Sequence, residues 1–86
     1  MKDSVFQFDG AVVRTFADAQ REPWFNVSDI CAVLGYRNSR DAVAKHCNPK
    51  GVAKRDTLTD GGNQELLFIN EGNLYRLIRL ARTRGV

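Results

Sequence analysis

The residues able to do chemistry in this chain of 86 are mostly cations and amides, and they are crowded. Arg37, Asn38, Ser39, Arg40 and Lys45 fall close together, and Lys50, Lys54 and Arg55 follow soon after. Arg pairs bidentately with guanine and Asn with adenine, while Lys and Arg hold phosphates. That combination suits contact with a duplex. A solvated helix face with Asn38 as its N-cap is the lesser alternative for the first group. Asp41, if it points outward, would repel phosphate. For Lys50, Lys54 and Arg55, phosphate or minor-groove contact stands level with charge protection of an exposed strand edge. Arg76, Arg79 and Arg82 near the chain end are read as cations serving a helix C-terminus and its surface.

His46, Cys47 and Cys31 are the remaining candidates. Structural zinc needs four ligands, and three are available here. A Cys–His nucleophile pair needs its side chains in reach, but consecutive helical residues diverge by about 100°. A core histidine and two inert core thiols is the better reading. Paired carboxylates, a glycine-rich phosphate loop and a Ser/His/Asp set are all missing from the sequence, so neither an enzyme nor a cofactor is expected. The eight aromatic residues read as core, with Trp24 beside Phe25 the one place for a half-exposed ring.

These residues need elements to position them. Ser4–Phe8 and Ala11–Phe16 are strand-like and flank Asp9-Gly10, a type I′ hairpin signal. A short strand at Trp24–Asn26 follows the turn around Arg21-Glu22-Pro23. Val27, Ile30, Cys31 and Leu34 then recur at helical spacing, with Asp29 in the first turn and Gly35 as the stop. A second helix opens at Asn38, with Asp41 three residues on as in a capping box. Its apolar face is Ala42, Val43, His46 and Cys47, and Asn48-Pro49-Lys50-Gly51 ends it. Val52–Leu58 and Glu65–Asn70 form a hairpin about Asp60-Gly61-Gly62-Asn63. Leu66-Leu67-Phe68-Ile69 is apolar on both faces, as in a central strand. Asn70 caps a last helix with Leu74, Leu77, Ile78 and Ala81 buried. The expected fold is α+β: an N-terminal β-hairpin, a helix-turn-helix-like pair, a second, wing-like hairpin and a C-terminal helix. This is the outline of a winged helix.

Bulk properties agree with one small soluble domain spanning 1–86. The net charge of +3 and pI of about 9.2 favour polyanions only mildly. The placement of the charge says more, because basic residues gather at 37–55 and 76–84 while the first twelve residues carry one Lys against two Asp. Two cysteines make no disulfide framework, and no apolar run is long enough to cross a bilayer. A cytoplasmic protein with reduced thiols is expected.

Taken in order, Trp24-Phe25, Asp29-Ile30, Leu34-Gly35-Tyr36, His46, Ile69-Asn70-Glu71 and Leu74-Tyr75-Arg76-Leu77-Ile78 resemble the BRO family N-terminal domain. The likeness runs from about Val5 to Leu80. That domain occurs in prophage antirepressors and baculovirus repeated-ORF proteins and is regarded as DNA-binding. The resemblance therefore implies double-stranded DNA as partner and a role in phage regulation of transcription. A repressor protein gripped by the domain is the alternative partner. A motif this small often works as a dimer, although no heptad seam or symmetric patch is visible. Family members usually continue with a Ser-rich, Pro-containing segment and another apolar helix. This chain ends at Ala81-Arg82-Thr83-Arg84-Gly85-Val86, so a shortened form lacking that continuation is expected. Within the proposed duplex-facing set, Arg40 is expected to read a base and Lys45 to hold a phosphate.

Overall fold

A computed structural model describes residues 3–83. The chain forms strands β1 (Asp3–Phe8), β2 (Ala11–Ala17) and β3 (Pro23–Asn26), then helices α1 (Val27–Leu34) and α2 (Ser39–His46). A short 3-10 turn at Pro49–Gly51 leads into β4 (Val52–Thr59), β5 (Gly62–Asn70) and α3 (Glu71–Thr83). The five strands make one antiparallel sheet in the order β1-β2-β3-β5-β4. The expected α+β order of elements is therefore the observed one.

The first turn has the expected geometry: Asp9 and Gly10 both have positive φ (50° and 80°), as a type I′ turn demands. The second hairpin is tighter than its sequence suggests. Thr59 pairs with Gly62 across Asp60-Gly61, and positive φ falls on Gly62, as in a type I turn closed by a glycine bulge. This hairpin is also no separate wing behind the helix pair. Its base is hydrogen-bonded into the sheet, with Trp24, Phe25 and Asn26 of β3 paired to Asn70, Ile69 and Phe68 of β5. Only the part beyond Phe68 extends as a two-stranded ribbon. The double-sided apolar run of β5 is explained by its place between β3 and β4.

The helices cover one face of the sheet. Val13, Phe25 and Ile69 from the strands meet Val27, Ile30, Cys31, Ala42, Val43, Leu74 and Leu77 from the helices in a single core. Alternation along the strands sends Phe16, Trp24 and Phe68 to the other face. There Phe16 stacks on Trp24 (6.1 Å between centroids), meets Phe68 edge-on (4.9 Å) and carries the Arg55 guanidinium 4.3 Å above its ring.

Asparagines open all four helical segments. The amides of Asp29, Asp41, Lys50 and Asn73 donate to the side-chain oxygens of Asn26, Asn38, Asn48 and Asn70. Each satisfies an N–H that the helix itself leaves unpaired. Gly35 closes α1 with φ 87°, and the Gly35 and Tyr36 amides both donate to the Cys31 carbonyl. A side chain there would be forced into the left-handed region. Gly51 serves a different need: a Cβ would lie 2.5 Å from the Asn70 and Asn73 side chains.

Candidate nucleic-acid interface

The helix pair is held to the sheet by a contact that spacing alone does not announce. Beyond Thr15, which pairs with Phe25, the β3 chain turns away into α1, so Arg14 has no partner on the β3 side. The Asp29 carboxylate fills that place, accepting from Arg14 N (2.9 Å), Nε (2.9 Å) and Nη2 (3.0 Å). Burial by itself would raise the Asp29 carboxyl, but the hydrogen bonds and charge of Arg14 outweigh it and hold the group below its ordinary value. Asp18 makes a similar clamp in the β2–β3 turn. It accepts from Trp24 Nε1 and from the Gln20 and Glu22 amides, which lowers its carboxyl, the Trp24 bond contributing most.

The other end of the pair is tied to α3. Tyr36 Oη donates to the Leu77 carbonyl (3.0 Å), fixing the turn between α1 and α2. After α2, the Asn48 amide donates to Asn73 Oδ1 (2.8 Å) and Asn73 Nδ2 donates back to the Asn48 carbonyl (3.0 Å). Asn73 is 2% exposed, so this reciprocal pair is sheltered from water. These bonds tie the chain to α3 on both flanks of α2, which makes the helix an anchored platform.

On that platform Arg37, Asn38, Arg40 and Lys45 are exposed and Ser39 is half-buried, while Ala42 and Val43 face the core. Arg37, Asn38, Asp41, Lys45 and His46 line one open depression beside the turn. Asn38 is occupied as the cap, as anticipated. Asp41 does not complete a capping box in the way its spacing suggested. It lies 3.3 Å from Lys45 Nζ on the outer surface. Cys47 lies one residue beyond α2 and, like His46, is half-buried, so neither belongs to the deep core that their helical spacing implied.

The hairpin cations are divided. Lys50 is exposed on the 3-10 turn. Lys54 sits on the helix-covered side, along a depression with Val43, Ala44, Cys47, Pro49 and Val52, and lies 4.0 Å from Glu65. Arg55 points to the opposite sheet face, over Phe16, because neighbours on a strand alternate. The structure therefore brings Arg37, Asn38 and Lys45 together, sets Lys54 along a different depression, leaves Arg40 and Lys50 exposed, and puts Arg55 on the opposite sheet face. Toward its tip the hairpin carries Asp56, Asp60 and Glu65.

Burial pushes the Cys31 thiol up to about 11, with nearby Cys47 adding to it. Burial also raises Cys47, opposed by the charge of Arg76. Both cysteines are free. Among the described residues, no three of His, Cys, Asp and Glu are grouped as a metal would need, and no helix is long and apolar enough to cross a membrane.

Residues 12–84 match the BRO family, N-terminal domain, and the chain belongs to that family. It is also similar to an uncharacterized protein of Haemophilus influenzae, with 49% identity over 79 residues. That alignment takes in 92% of this chain and 39% of the relative, so the chain spans well under half of the relative's length. No solved structure matches it.

Proposed function

We propose that this chain is the DNA-contacting domain of a phage antirepressor-like regulator of transcription, a cytoplasmic binding module without catalytic activity. The outward face of α2 carries this reading. Arg40 and Lys45 stand exposed on the second member of a helix pair whose inner face is locked into the core, and Arg37 is exposed in the turn just before it. Family membership supports a regulatory role, and the exposed cations at and around α2 support a polyanionic partner.

In this reading Arg40 meets a base edge in the major groove, flanked by Arg37 and Ser39. Asn38 keeps the helix start in place, since its side-chain oxygen is already engaged by Asp41 N. Lys45, Lys50 and Lys54 hold phosphates to either side. Arg55 is left out of the surface because it caps the aromatic cluster on the far face. The acidic hairpin tip confines any wing contact to the region of Lys54.

A second reading rests on one observation. The depression lined by Val43, Ala44, Cys47, Pro49 and Val52 runs beside edge strand β4, which suits a protein partner such as a repressor. Salt separates the two. Titration with random and phage-operator duplexes at two salt concentrations should give an affinity that falls steeply with salt through counterion release. Failure to bind any duplex at 50 mM salt would move protein binding to first place.

A further inference from the structure

We infer that the groove between α2 and α3, walled by Lys45, His46, Arg76 and Arg79, is a clamp for the phosphate backbone of duplex DNA at the C-terminal end of α2, the opposite end from the base-reading Arg40. This rests on the DNA-binding reading above and adds two arginines to it.

The four side chains converge on one open depression with Leu80 in its wall. Their sequence positions give no hint of this, since α2 and α3 are separated by the whole β4–β5 hairpin. The hydrogen bonds of Tyr36 to Leu77 and of Asn48 to Asn73 set the two helices side by side. Arg76 and Arg79 line the depression from α3, and Lys45 and His46 line it from the last turn of α2.

The helix dipole does not account for these arginines. A cation serves the helix dipole only in the last turn, and in α3 that place belongs to Arg82. Arg76 lies in the middle of the helix. Neither Arg76 nor Arg79 forms an ion pair with a described residue. No carboxylate is among the residues that line the depression, and Asp41 meets Lys45 from outside it. Like charges held together on a fixed frame repel one another, and a polyanion relieves that repulsion.

The shape selects the kind of anion. The groove shares Lys45 and His46 with the depression that holds Arg37 and Asn38. Cations therefore run in a row from the α1–α2 turn to α3. An open row suits an extended backbone, whereas a single free phosphate calls for a closed pocket with several donors.

The test uses the whole chain, a random-sequence duplex and two variants, R76Q/R79Q and R76K/R79K. Each phosphate contact contributes about 0.9 to the slope of log affinity against log salt. Loss of two should make the slope shallower by about 1.8 and weaken binding about 60-fold at 0.1 M salt, with the difference vanishing toward 1 M. The lysine variant should stay within a few fold of the parent. If the parent binds and R76Q/R79Q binds equally well, the clamp is overturned while the α2 reading stands. An equal loss in the glutamine and lysine variants would assign the effect to packing and overturn the clamp too. If the parent binds no duplex, both fall together.

Discussion

Replacing Asp41 with Asn should make the domain bind DNA more tightly while making it less stable. Asp41 lies in the first turn of α2, where its charge complements the positive end of the helix dipole, and its carboxylate is 3.3 Å from Lys45 Nζ. The two side chains are 52% and 66% exposed, so solvent screens the pair. Exposed i,i+4 pairs of this kind contribute about 0.3–0.5 kcal/mol. The dipole interaction adds about 0.3–1 kcal/mol. Losing both costs about 1 kcal/mol, a fall in Tm of about 4–8 °C for a domain of this size. The binding effect has the opposite sign. A carboxylate leaves the surface that faces phosphate, and Lys45 is released from it. One further effective phosphate contact is worth about eightfold in affinity at 0.1 M salt and steepens the salt slope by about 0.9. Thermal melts and fluorescence anisotropy on a labelled duplex read the two effects separately. A variant that loses stability without gaining affinity would refute the idea that this face of α2 approaches the backbone.

Other expectations concern the frame. The carboxyl of Asp29 is held low, so its contribution is complete above the unfolded value near 4 and is lost as pH falls through the lower folded value. Asp29→Ala should cost about 1–2 kcal/mol in urea melts at pH 7 and flatten the acid limb below about pH 4, and an unchanged limb would contradict the Arg14 clamp. Gly35→Val forces a β-branched residue to φ 87° and should cost about 1–2 kcal/mol, whereas an unaltered Tm would remove the tight turn from the account. Native-state thiol labelling at pH 8 should be slow at buried Cys31 and faster at half-buried Cys47; rapid labelling of both would show that Cys31 is not sealed.

Local signals were legible wherever a residue's own conformation decides the outcome. Asp9-Gly10, Gly35, Asn38 and Asn70 act on their immediate neighbours, and each does what its type suggests. Period and polarity likewise gave the order of elements and the central position of β5. What stayed hidden depends on contacts across the fold. Asn73 reads as an ordinary helix residue until Asn48 is set opposite it. Arg14 and Asp29 read as surface charges until β3 ends and leaves an amide to satisfy. The Asn26 cap was an omission with a local clue, since Asn26 and Asp29 repeat the spacing of Asn38 and Asp41. In the candidate site, the cations from Arg37 to Lys45 were visible as a cluster. The split between Lys54 and Arg55 followed from strand alternation and was within reach. The approach of Arg76 and Arg79 to Lys45 was not, because it is set by how α3 returns across the sheet.

The central claim is that the outer face of α2 meets DNA, and one comparison tests it most directly. The triple variant Arg37→Ala, Arg40→Ala, Lys45→Ala changes only exposed side chains, so it should remain folded with a Tm close to the parent. Its affinity for a random duplex at 0.1 M salt should fall by about 8- to 60-fold and its salt slope should become shallower by about 0.9–1.8, as for one or two lost phosphate contacts, with the lost Arg40 base contact adding to this only at a specific site. A folded triple variant that binds as tightly as the parent at low salt would place the contact surface elsewhere.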